Sequence, residues 1–224
     1  AALLVSLFLG PLHALRLVRE PYGWTGVLPT VGALTVAVGA ARALGARSLS
    51  GCAQAAVQIG AGVFVLSVAA SASFLGQAKY VPQEAVRRGQ EEMWARVAAE
   101  AALAGGLGLL VASVVFAGLA YVATTLARRQ TTLSQESADN EGIVGLMTRA
   151  PFVALTLLAG AAALLGVLPG VGADLWFDVY RGLGQHGGMG WTLGVVAVAH
   201  VSLGVGLTRR LLVALDAPSV AESR

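Results

Sequence analysis

Three histidines, one cysteine and a carboxylate at the start of a long apolar run are the side chains with which this chain could do chemistry. His200 lies near the middle of one apolar segment, His186 just before it, and His13 near the end of the first segment. A haem iron in a membrane bundle wants two imidazoles at matched depth on facing helices. The depths of these three do not match, so His200 reads as a helix-to-helix hydrogen bonder and haem is disfavoured. The lone Cys52 excludes an internal disulfide and a cysteine-based metal cluster.

Glu100 immediately precedes residues 101–127, which carry no charge, and stands one helical turn after Arg96. A proton-carrying carboxylate belongs at mid-span, with Gly108 to Phe116 around it. Glu100 lies nearer the boundary and reads as half of an interfacial salt bridge with Arg96. Gln54 and Gln58 are one turn apart and share a helix face. With Glu100 and His200 they are the candidate functional polar residues, from which a polar path could be built. The sequence contains no H-E-x-x-H, no G-x-S-x-G and no phosphate-cradling loop after a strand. An enzyme is not indicated, and no catalytic, metal or cofactor residues are expected, only structural lipids.

The elements that hold these residues follow from composition. Only 12% of the 224 residues are charged and 56% are hydrophobic, where soluble domains carry about 25% charged residues. Lipid is therefore the solvent. Continuous apolar runs of helix length, without alternation or aromatic girdles, exclude a membrane barrel. A spanning helix needs ~20 apolar residues, and the segments 23–44, 51–76, 98–127, 150–171 and 189–207 qualify. A sixth, 1–18, is short and broken by Pro11. The expected fold is an all-α, polytopic membrane bundle of five to six spans in one domain, with short interfacial helices and a polar tail over 208–224.

Charge sets the expected topology. Arg42, Arg47, Arg128, Arg129, Arg149, Arg209 and Arg210 fall on one side if every segment spans, which by the positive-inside rule is the cytoplasmic or matrix side. The loop "KYVPQEAVRRGQEEMWAR" falls on the other side and pairs charges at helical spacing. Its helix is expected to begin near Gln83 and run on into the third span, with Trp94 at the interface. Trp176, Phe177, Tyr180 and Trp191 cluster at one interface with Asp174, Asp178 and Arg181, in a stretch that reads as a short helix lying on the outer membrane surface. A net charge of +3 does not mark a nucleic-acid binder.

Small residues complete the pattern. Gly105 and Gly108, with Ala101, Ala104 and Ala112, make a smooth strip on the third span, and Gly190 and Gly194 form a GxxxG on the last. In lipid, close backbone approach is a main source of helix association, so these four glycines are the expected helix-packing positions. The Leu109, Val114 face is expected to turn to lipid or to larger side chains. The reading that results is a non-catalytic accessory or scaffold subunit of a membrane complex, partnered by other membrane subunits and lipids. The setting would be a respiratory or other energy-transducing membrane, mitochondrial inner or bacterial plasma. The alternative is a small transporter or channel using Gln54, Gln58, Glu100 and His200.

Overall fold

The computed structural model describes residues 27–77, 88–131, 146–167, 172–185 and 190–215. The expectations for segment 1–18, for His13 and His186, and for the Arg96 and Trp94 side chains lie outside the described part. Among the described residues the chain is all helical: α1 (Val27–Gly45), α2 (Leu49–Gln77), α3 (Arg88–Thr131), the single turn α4 (Leu146–Arg149), α5 (Pro151–Leu164), α6 (Ala173–Gly184) and α7 (Gly190–Leu215). Four of them, over Val27–Gly45, Leu49–Ser71, Val97–Leu126 and Gly190–Leu212, are long and apolar enough to cross a membrane. The protein is an integral membrane helical bundle.

Local chemistry sets the element ends. Ser48 caps α2, its hydroxyl accepting the Gly51 N–H at 3.2 Å. Pro151 occupies the first turn of α5, where its missing N–H costs nothing. Helix α3 is one continuous rod from Arg88, as expected for a loop helix that feeds directly into a span. Helix α7 runs past Arg209 and Arg210 into the stretch expected to be a polar tail. Buried Leu211 and an Arg210 Nε–H bond of 2.9 Å to the Ala46 carbonyl hold that extension in the bundle.

Glycine and alanine let backbones meet. A β-carbon on Gly62 would stand 2.6 Å from Val36 Cγ2, and one on Gly39 would stand 2.7 Å from Ile59 Cγ1. These contacts make α1 and α2 antiparallel neighbours. Gly60 lies against Leu109 and Leu110, Gly106 against Phe64 and Ser67, and the Ser71 hydroxyl donates to the Ala99 carbonyl at 2.9 Å. Helices α2 and α3 are thus antiparallel as well. Gly206 abuts Ala43 and Arg210 reaches Ala46, so α7 runs parallel to α1. Of the two surroundings expected for the Leu109, Val114 face, lipid or larger side chains, Leu109 lies inside the α2–α3 seam at 1% exposed, whereas Val114 is 53% exposed.

These contacts put the C-terminal ends of α1, α3 and α7 at one end of the bundle. Cysteines placed at Ser137 and Ser219, in a chain whose Cys52 is replaced by alanine, should therefore react from the same side of intact vesicles. Opposite accessibility would refute this topology.

The segment expected to span at 150–171 is built differently. Helix α5 has 14 residues, about 21 Å of helix, short of the ~30 Å hydrocarbon core. Gly160 of α5 lies against Leu119 and Phe116 of α3. Beyond the break, Leu175 and Asp178 of α6 meet Gly105 and Gly108, and Gly182 meets Ala98 and Ala102. As numbering rises through α5 and α6, the partner position on α3 falls steadily. The two helices therefore run in series along α3, antiparallel to it and interrupted midway. Helix α6 lies lengthwise on α3 rather than flat on the surface, reaching the interface with its last turn. Its inner face of Trp176, Val179, Gly182 and Leu183 is buried, which fits the small-residue strip.

Candidate functional site

The interruption between α5 and α6 is where the side chains of Trp176, Tyr180 and His200 converge. A helix that stops inside the hydrocarbon must satisfy its last carbonyls without water. Gly166, at φ +67, supplies the left-handed turn. Its N–H reaches the Ala163 carbonyl at 3.1 Å, and the Val167 N–H reaches that of Ala162 at 2.9 Å, a Schellman arrangement. The next two carbonyls are capped from elsewhere in the fold. The Trp176 indole N–H donates to Leu164 O at 2.8 Å, and His200 Nε2 lies 3.1 Å from Leu165 O.

A carbonyl only accepts, so His200 carries its proton on Nε2 and donates it there. Nδ1 is then the acceptor, and the Tyr180 hydroxyl donates to it at 3.1 Å. The imidazole is stacked on the Trp176 ring, with centroids 3.8 Å apart and planes 6° from parallel. Trp176 and Tyr180 are one turn apart on α6, so a single helix face presents both to α7. What results is a carbonyl–imidazole–phenol chain at mid-depth that joins three helices. Both imidazole nitrogens are engaged by protein groups. Among the described residues, no group of His, Cys, Asp and Glu side chains could hold a metal ion.

No family model, curated protein or solved structure matches this chain.

The other candidate residues occupy separate surroundings. Gln54 is exposed on α2. Gln58 accepts the Arg42 Nη1–H at 2.8 Å, tying α1 to α2. Glu100 is exposed on α3, about a turn and a half before Gly105. Glu100→Gln should cost the chain at most about 1 kcal/mol, as for an exposed pair. Thermal unfolding in detergent measures this, and a larger loss would place Glu100 in the core machinery. Gly105 and Gly108 receive α6, with a β-carbon on Gly108 standing 2.5 Å from Leu175 Cδ2. Gly190 and Gly194 are exposed, and β-carbons there would meet nothing within 4 Å among the described residues, so their GxxxG is not used between the described helices.

Two features escaped sequence reasoning. The Trp176–Tyr180–His200 cluster needs the break to bring α6 against α7, and its only sequence sign is the i, i+4 spacing of two aromatics. The other is a polar stripe on α6. Asp174, Asp178, Arg181 and Gln185 recur at spacings of four, three and four, on the side turned away from Trp176 and Val179. Asp174 adjoins Leu175, which packs on Gly108, so a carboxylate does stand near mid-depth.

Proposed function

We propose that this protein is a non-catalytic accessory or scaffold subunit of a multi-subunit membrane complex. The complex would be one of a respiratory or other energy-transducing membrane, mitochondrial inner or bacterial plasma, with the C-terminus on the matrix or cytoplasmic side. The polar stripe of α6 carries the reading. Asp174 and Arg181 are exposed and Asp178 is half-buried. Among the described residues none of the three side chains makes an ion pair or hydrogen bond. Ionisable groups at membrane depth ordinarily face a bundle interior or a wet cavity. Here they face outward, and lipid tails offer them nothing. A neighbouring subunit does.

The rival reading, a transporter or channel, would need Gln54, Gln58, Glu100 and His200 along one path. Their separate surroundings, with His200 committed to capping α5, favour the scaffold. Extraction in a mild detergent, followed by native electrophoresis and mass spectrometry, tests the proposal. Co-migration with defined membrane subunits is the expected result. A clean monomer or homodimer would overturn it.

A further inference from the structure

Depth along the bundle can be read from contacts. Gly60, central in the Leu49–Ser71 span, lies against Leu109 and Leu110, and Val36, central in Val27–Gly45, lies against Gly62. The membrane midplane therefore passes near Leu110 of α3. Leu175 meets α3 at Gly105 and Gly108, Asp178 at Gly105, and Gly182 at Ala98 and Ala102. On this scale Asp174 is near the midplane, Asp178 about a turn further out, and Arg181 near the outer edge of the hydrocarbon.

The stripe thus has an order: carboxylate, carboxylate, guanidinium, amide, from the midplane outward. Asp174 and Arg181 complement the partial charges at the two ends of α6, but this leaves Asp178 and the excess negative charge unanswered. Arg181 is about two turns from Asp174 and cannot neutralise it. A second copy inserted with the same topology would meet this stripe in parallel, carboxylate facing carboxylate, which is repulsive. A helix bearing a cation level with the two aspartates, and an acceptor level with Arg181, would satisfy every member. The spacing of four, three and four is that of a helix–helix seam. Beside it, Ala101 and Ala104 share the Gly105–Gly108 side of α3, a floor smooth enough for close approach.

We infer that the groove between α3 and α6 docks a transmembrane helix of another subunit whose Lys or Arg sits at mid-depth between Asp174 and Asp178. The inference rests on the subunit reading above and gives that partner its chemistry.

A photo-crosslinking amino acid, p-benzoylphenylalanine, placed at Phe177 in the native membrane tests it. Phe177 is 62% exposed beside the stripe, and Phe152, 83% exposed on α5, serves as control. The expected result is one protein adduct from position 177, mapped to an apolar segment containing Lys or Arg, and lipid adducts alone from position 152. The adduct should vanish in the Asp174→Asn/Asp178→Asn double variant. It should vanish equally when the mapped Lys or Arg is changed to Met, which leaves this chain intact. Asp174→Asn/Asp178→Lys combined with reversal of the partner's cation to Asp should restore it. An adduct with lipid, with a second copy, within the chain itself, or with a segment lacking a cation would overturn the docking surface. If native electrophoresis still shows the complex, the subunit reading survives that result. If the chain is also monomeric, both fall.

Discussion

His200→Leu is expected to be among the most damaging single substitutions in this chain. It strips a donor from the Leu165 carbonyl and an acceptor from the Tyr180 hydroxyl, both inside the bundle. Each buried polar group left without a partner costs about 1–3 kcal/mol. The Trp176 stack loses its second ring as well. A loss of about 2–4 kcal/mol follows, moderated because hydrogen bonds in lipid often find substitutes in the unfolded state. His200→Gln, which keeps an amide N–H, should lose roughly half as much. Thermal unfolding in detergent, with the emission of the tryptophans as readout, ranks the three proteins. Equal stability of His200→Leu and the parent would mean that the α5 terminus is satisfied some other way.

Gly182→Leu should be comparably severe for a steric reason. A β-carbon there collides with the Ala102 side chain and lies 2.9 Å from the Ala98 carbonyl, part of the α3 backbone, which cannot swing aside. Overpacking a filled contact costs about 1–3 kcal/mol, and the upper end applies where the obstacle is main chain. Helix α6 would be lifted from α3, carrying Trp176 and Tyr180 away from His200. Gly194→Leu is the internal control, because a β-carbon there meets nothing within 4 Å among the described residues. The isolated chain should tolerate it. If it nonetheless abolishes the assembled complex on a native gel, the exposed face of α7 is a second subunit contact. Equal tolerance of both substitutions would show that the α3–α6 packing contributes little.

Much of the architecture was legible because hydropathy and helix length are local properties. The spans read at 23–44, 51–76, 98–127 and 189–207 correspond to α1, α2, α3 and α7. The break between α5 and α6 was not legible for the same reason. A window averaged over 150–171 scores α5 together with the residues beyond it and cannot see Gly166 at positive φ. The meaning of that glycine depends on α6, whose charges suggested a surface position. The charges occupy one stripe, so the opposite face was free to bury Trp176 and Val179 against the bundle. His200 was correctly read as polar near mid-span. Its partners were not, since Tyr180 and Leu165 reach it only through tertiary packing. Glycines were the least readable: Gly105 and Gly190 look alike in sequence, and among the described residues only Gly105 has another helix against it.

The break between α5 and α6 also bears on how the chain is made. The insertion machinery judges each nascent segment by its own apolar length. Helix α5 falls short of the ~20 residues that lodge stably, and α6 carries three charged residues in 12. Neither half is a convincing stop-transfer or signal-anchor segment alone. Their caps come partly from His200, which is synthesised later than both. The last third of the protein therefore has to settle in the membrane as one cooperative unit, after translation has passed residue 200. Ribosome-bound intermediates ending before α7 should hold α5 and α6 only loosely, leaving them open to quality-control proteases until the final helix arrives.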